Sequence, residues 1–163
     1  MTNIYSRLPQ GPQSSNAALV QALGEWFVQD HRDCDNLWVA VEEGASLDLA
    51  SLQVALGAFD NQLRRHLRLE EDVLFPAIER ATGMGGMGPT EMMRQEHTQM
   101  RRLLDAMANS DDMDLILEQG DTLMMLIAQH NSKEEGVLYP LAVQVLGPAA
   151  RDLITAMGLG SAR

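Results

Sequence analysis

The sequence is short of the residues that cross-link a chain, bind polyanions or span a membrane, and each shortage removes a class of protein. It has one cysteine, Cys34, in 163 residues, so no internal disulfide can form and nothing points to an oxidising compartment. Aromatic residues make up only 4%. The core must therefore be aliphatic, with the 11 methionines filling gaps as flexible thioethers. Positive charge is scarce: 12 Lys and Arg stand against 23 Asp and Glu, a formal net charge of −11. That field repels nucleic acid and anionic membrane surfaces, and neither is expected as a partner. No segment approaches the ~18 uninterrupted apolar residues of a membrane span. The first residues also lack the basic start and apolar run of a signal peptide, so a cytoplasmic location is expected. Two-residue alternation of apolar and polar side chains is missing too, and no sheet is expected.

What is present is helical periodicity. Residues 1–14, with Pro9, Gly11 and Pro12, read as an extended N-terminal tail. Ser14 or Ser15 is placed to cap a first helix reaching about Glu43, with Gly44 as its stop. A second helix runs from near Asp48 to about Ala81, the glycine-rich stretch Gly83–Pro89 is a loop, and a third helix covers Thr90 to Asn109. Ser110-Asp-Asp112 caps a fourth, which continues to about Leu146. Residues 147–163 hold a break at Gly147-Pro148, a short fifth helix and a tail. Long helices with short connections predict an all-α, up-down-up-down four-helix bundle over residues 15–146, with a short C-terminal helix.

The inward stripes of these helices carry an unexpected load. Helix 2 reads Leu52, Leu56, Phe59, Leu63, His66, Glu70, Val73, Ala77, and helix 4 reads Ile116, Gly120, Leu123, Ile127, His130, Glu134, Val137, Leu141. Helix 3 contributes His97 between Met93 and Met100, and helix 1 contributes His31 between Phe27 and Cys34. All four histidines of the chain therefore lie on core-facing stripes. A buried glutamate costs several kcal/mol, on the order of magnitude, without a positive partner, and these stripes hold no Lys or Arg. Each glutamate has instead a histidine one turn earlier on the same face. Imidazole nitrogen and carboxylate oxygen so placed form a clamp for a first-row transition metal.

The arrangement is duplicated. Residues 66–76 read HLRLEEDVLFP and residues 130–140 read HNSKEEGVLYP, with six identities. The lone histidines repeat as well, His31 preceding His66 as His97 precedes His130. Two helical hairpins about a pseudo-two-fold axis would bring His31, His66, Glu70, His97, His130 and Glu134 to one point. That set suits two metals, two histidines on each and the carboxylates between them. Mixed N/O ligation with open positions favours Fe, while Mn or Zn fits the same donors. Glu71 and Glu135, turned further round the helix, are expected to support the ligands or face solvent.

At these residues the sequence resembles the hemerythrin-like, or HHE cation-binding, domain family, over about Ser15 to Leu146. The resemblance implies a four-helix bundle holding an oxo- or hydroxo-bridged di-iron centre on the six residues just named. It also implies a small ligand such as O2 or NO, bound or sensed at the metals. The departures matter. Oxygen-carrying hemerythrins have five histidines, two of them on the third helix, and here that helix has only His97. Fewer imidazoles leave the metals more open and make redox chemistry the alternative. A di-iron redox enzyme, or an iron–sulfur cluster repair or iron-handling protein, is therefore the second reading. The repair branch adds an N-terminal cysteine pair that this sequence lacks.

Other features read more plainly. Cys34 is a small core residue, the methionines fill space rather than ligate copper, and Arg64, Arg65, Arg68, Arg94, Arg101 and Arg102 are solvated helix faces. Pro76 and Pro140 should kink the second and fourth helices at matching places. Phe75 and Tyr139 are packing residues, although the Tyr139 hydroxyl, five residues past Glu134, could reach the site.

Overall fold

Two aspartates set where long helical stretches begin. Asp48 accepts a 2.7 Å hydrogen bond from the Ser51 N–H. Asp112 accepts from the N–H groups of Asp114 and Leu115 at 3.0 and 3.2 Å. Each satisfies donors that a first helical turn leaves free. The structure, a computed structural model, describes residues 16–157. The N-terminal tail, the Ser14 or Ser15 cap and the last residues of the C-terminal tail lie outside the described residues.

Among the described residues the chain is helical, with no strand. The helices are α1 (Asn16–Ala45), α2 (Leu49–Leu69), α3 (Phe75–Thr82), α4 (Pro89–Ala108), α5 (Met113–Lys133), α6 (Tyr139–Val145) and α7 (Ala150–Ala156). Five-residue π turns, Glu70–Leu74 and Glu134–Leu138, join α2 to α3 and α5 to α6, and a 3-10 turn, Gly147–Ala149, leads into α7. In the expected loop before α4, Gly83, Gly86 and Gly88 take φ of 72°, 72° and 97°, values that favour glycine.

Gly44 is not the stop it was expected to be, since α1 passes through it to Ala45. An added Cβ there would lie 2.9 Å from the Ser51 carbonyl, so the glycine serves the close approach of α1 and α2. A second difference concerns the inward stripe of the fourth helical stretch. Val137 is 60% exposed, and Leu138, Tyr139 and Ala142 are buried instead. The cause is the π turn. The Phe75 N–H bonds the Glu70 carbonyl and the Tyr139 N–H bonds the Glu134 carbonyl, five residues back rather than four. The extra residue rotates everything downstream to a new face. Pro76 and Pro140 follow directly. In a regular α-helix each ring would press on the carbonyl four residues back, and the five-residue turn widens the helix just ahead of each proline, a disturbance at the matching places where kinks were expected.

α1 packs along α2 and also against α6 and α7, while α4 packs along α5. One apolar cluster gathers around Phe27, Phe75, Ile78, Met93 and Tyr139, and a second around Trp38, Phe59, Leu63, Met100 and Ile127. Along each of α1, α4 and the two π-jointed rods, the histidines and glutamates fall between these clusters. Burying a Leu, Ile or Phe side chain is worth roughly 1.5–3 kcal/mol. The flanking clusters therefore carry the stability that a polar layer between them would otherwise erode.

Candidate metal centre

The structure brings all six expected residues, His31, His66, Glu70, His97, His130 and Glu134, into one fully buried layer. Each imidazole is oriented from behind. Its Nδ1 lies 2.9–3.0 Å from a carboxylate: His31 from Glu135, His66 from Asp30, His97 from Glu71 and His130 from Glu96. An ionised carboxylate only accepts, so Nδ1 carries the proton and a neutral ring turns its Nε2 lone pair inward. Those Nε2 atoms meet in pairs, His31 with His66 at 3.2 Å and His97 with His130 at 3.1 Å. Two lone pairs at that separation repel unless a cation stands between them.

The carboxylates reach both pairs. Glu134 Oε2 lies 3.2 Å from His31 Nε2, and Oε1 lies 3.1 Å from His130 Nε2. Glu70 Oε2 lies 3.3 Å from His66 Nε2 and 3.4 Å from His97 Nε2. Glu70 Oε2 and Glu134 Oε1 are nevertheless buried without any hydrogen bond, a costly state for a carboxylate oxygen. Two groups of four potential ligands result, His31, His66, Glu70 and Glu134 in one and Glu70, His97, His130 and Glu134 in the other, each with its ligand atoms within 4.8 Å of one another. Imidazole nitrogens facing one another across orphaned carboxylate oxygens fit a divalent transition metal.

The electrostatics describe the same site holding protons. Burial alone would lower the His66 pKa, but Glu70, Asp30 and Glu134 raise it to about 10. His130 moves the same way, with Glu134, Glu70 and Glu96 outweighing burial. Burial raises the Glu70 pKa, yet His66 and His97 hold it well below the usual carboxylate range. Burial likewise opposes ionisation of Glu71, while hydrogen bonds from His97 and Arg101 bring it down to about 2. A proton-loaded cluster of this kind exchanges protons for metal.

Several participants were not singled out from the sequence. Asp30 and Glu96 hold His66 and His130. Their signal was an acid immediately before the lone histidine in both hairpins, Asp30-His31 and Glu96-His97. Four arginines expected on solvated faces are ion-paired: Arg65 bonds Asp30 at 2.7 Å, Arg101 bonds both Glu71 oxygens at 2.8 Å, Arg64 bonds Asp60 and Asp105, and Arg94 bonds Glu79. Lys133 pairs with Glu96. Tyr139 does more than pack. Its hydroxyl donates to Glu70 Oε1 at 2.7 Å and lies 3.1 Å from both Glu134 Oε2 and His31 Nε2. Burial and the two glutamates push its pKa well up, so the phenol keeps its proton. Cys34 is buried among apolar side chains, and burial raises its thiol pKa; it is a core residue.

With this geometry in view, the match to a family model acquires a physical meaning. The model of the hemerythrin HHE cation binding domain matches residues 12–142. The chain belongs to this family. Comparison with curated proteins and with solved structures found no match. The hemerythrin match and the buried His/Glu groups together make this a hemerythrin-like metal-binding protein. No helix among its described residues is long and apolar enough to cross a membrane.

Proposed function

We propose that this hemerythrin-like protein holds two iron ions, one on His31 and His66 and the other on His97 and His130, with Glu70 and Glu134 shared. The reading rests on one observation above the rest: two pairs of Nε2 atoms face each other across carboxylate oxygens that no hydrogen bond satisfies. Iron bound there supplies one-electron chemistry and open coordination positions for O2, NO or a related small ligand. The chain's own part is to fix the imidazole tautomers through Asp30, Glu71, Glu96 and Glu135, to exclude bulk water with the flanking clusters, and to keep a proton on Tyr139 beside Glu70. An up-down-up-down order of four helical rods is the bundle topology that goes with this site. The net charge of −11 favours a small-molecule partner in the cytoplasm over nucleic acid or membrane.

The test is anaerobic reduction of iron-loaded protein followed by admission of air under a spectrophotometer. About two Fe per chain and a visible band that appears with air and vanishes on deoxygenation support ligand binding. Irreversible oxidation supports the alternative, a di-iron redox enzyme or an iron–sulfur repair protein. Protein that takes up no iron removes both.

A further inference from the structure

The duplication that builds the centre is broken in one direction only. Three residues before the lone histidine, α4 has Arg94 where α1 has Val28. Seven before it, α4 has Thr90 and α1 has Gly24. Nine residues past the shared glutamates stand Glu79 in α3 and Val143 in α6. On the His97 side these residues make a lid. Glu79 Oε1 accepts from Thr90 at 2.7 Å and from Arg94 at 2.5 Å, and the Arg94 guanidinium lies 5.5 Å from the Phe75 ring centroid. Phe75 in turn stacks on His97. Arg101 clamps Glu71 with two further bonds.

On the His31 side the Tyr139 ring stacks on His31 as Phe75 does on His97, but the lid over it has no counterpart. Gly24, Val28 and Val143 cannot pair, and Asp35 replaces Arg101, four residues past the histidine. Among the described residues Glu135 has His31 as its ion-pair partner and is 38% exposed, against 22% for Glu71. What remains is a groove of about 390 Å³ between α1 and α6, walled by Gly24, Val28 and Val143 and reaching Tyr139. A Cβ added to Gly24 would sit 3.9 Å from Val143 and 4.0 Å from Tyr139, so the glycine keeps that space open. Tyr139 lines the groove while its hydroxyl donates to Glu70 and lies 3.1 Å from His31 Nε2. Tyr139 thus spans from the groove to the buried ligand atoms.

We propose that this groove is a one-sided route by which a small uncharged molecule reaches the metal centre at its His31/His66 half, with the Tyr139 ring as the gate. Gly24, Val28, Pro140 and Val143 give the groove mostly apolar walls, which disfavour a strongly hydrated solute, and Glu25 and Glu135, which line it together with Gln21 and Gln144, oppose an anion. The delivery of a ligand to iron rests on the function proposed above; the route itself does not.

Two measurements separate the two claims. Xenon, an uncharged apolar probe, is expected to enter crystals of the wild-type protein in the groove over Tyr139 and not beneath the Arg94–Glu79 lid. The double variant V28R/V143E copies that lid onto the open side, and Gly24→Leu fills the groove by bulk alone. Both should retain iron and melting temperature while the association rate of nitric oxide with reduced, iron-loaded protein falls at least tenfold. Xenon absent from the groove overturns the proposal. So does a nitric oxide rate unchanged in both variants at full iron occupancy. Xenon in the groove of a protein that binds no nitric oxide upholds the route and overturns the ligand-binding function.

Discussion

At the scale of single residues, the centre is governed by where protons sit. Each Nδ1 is committed to a carboxylate, so any competition takes place at Nε2. In metal-free protein His66 has its pKa raised to about 10. Its stabilising contribution is therefore complete below about pH 6.5, the unfolded value, and is lost as pH rises through about 10. Metal binding needs the neutral ring and runs the other way. The melting temperatures of metal-free and zinc-loaded protein should therefore diverge between pH 6.5 and 10, the first falling relative to the second. Calorimetric zinc titration at pH 7 in buffers of different ionisation enthalpy should register at least one released proton, and none would show that His66 enters neutral. Replacing Asp30 or Glu96 by Ala should cost about 10–100-fold in metal affinity, read by chelator competition. Glu70→Ala or Glu134→Ala should remove metal and lower the melting temperature together, because both pairs lose a shared ligand. The His-x-x-x-Glu clamps were legible before any coordinates because both partners lie on one helical turn. Glu71 and Glu135 were expected to support the ligands or face solvent, but which histidine each holds was not legible, because each reaches across to the other hairpin and local spacing carries no trace of that.

At the scale of elements, the widened turns decide which side chains see the centre. Stripes counted in steps of three and four hold from Leu52 to Glu70 and from Ile116 to Glu134, where the helices are regular. They then turn Val137 inward, whereas the structure leaves it 60% exposed and buries Tyr139. The clue was in the duplicated Pro76 and Pro140, although a proline announces a disturbance without saying that it will take the form of an inserted residue. Helix contacts elsewhere depend on glycine. Gly120 in α5 meets Trp38 in α1 so closely that a Cβ would lie 2.0 Å from Cη2 of the indole. Gly120→Ala gains about 1 kcal/mol of helix propensity, yet it must displace a large buried ring, and overpacking of this kind costs typically 1–3 kcal/mol. A net loss of stability is expected in chemical denaturation. Gly57, with open space around its position, should gain from the same substitution.

At the scale of the whole molecule, the centre is the joint between two hairpins. α1 and α2 pack along each other, as do α4 and α5, while α1 touches α5 only lightly. What crosses between the hairpins at this level is largely polar: His31 to Glu135, His97 to Glu71, and the two glutamates that face both histidine pairs, with Phe75 stacked on His97 and Tyr139 on His31 beside them. Two divalent cations would also offset four of the eleven excess negative charges. Metal should therefore tighten the hairpins against each other rather than stiffen each separately. Since Glu70 and Glu134 belong to both ligand groups, damage to one half must be felt in the other. His130→Ala removes a ligand from one group alone, yet it frees Glu134 Oε1 and alters the shared carboxylate that the His31/His66 ion also needs. Zinc titration of that variant should show both sites weakened, the distant one by severalfold, with hydrogen exchange quickening in α1 as well as α5. An undisturbed second site of wild-type affinity would mean that the halves bind independently and that the carboxylates do not bridge them.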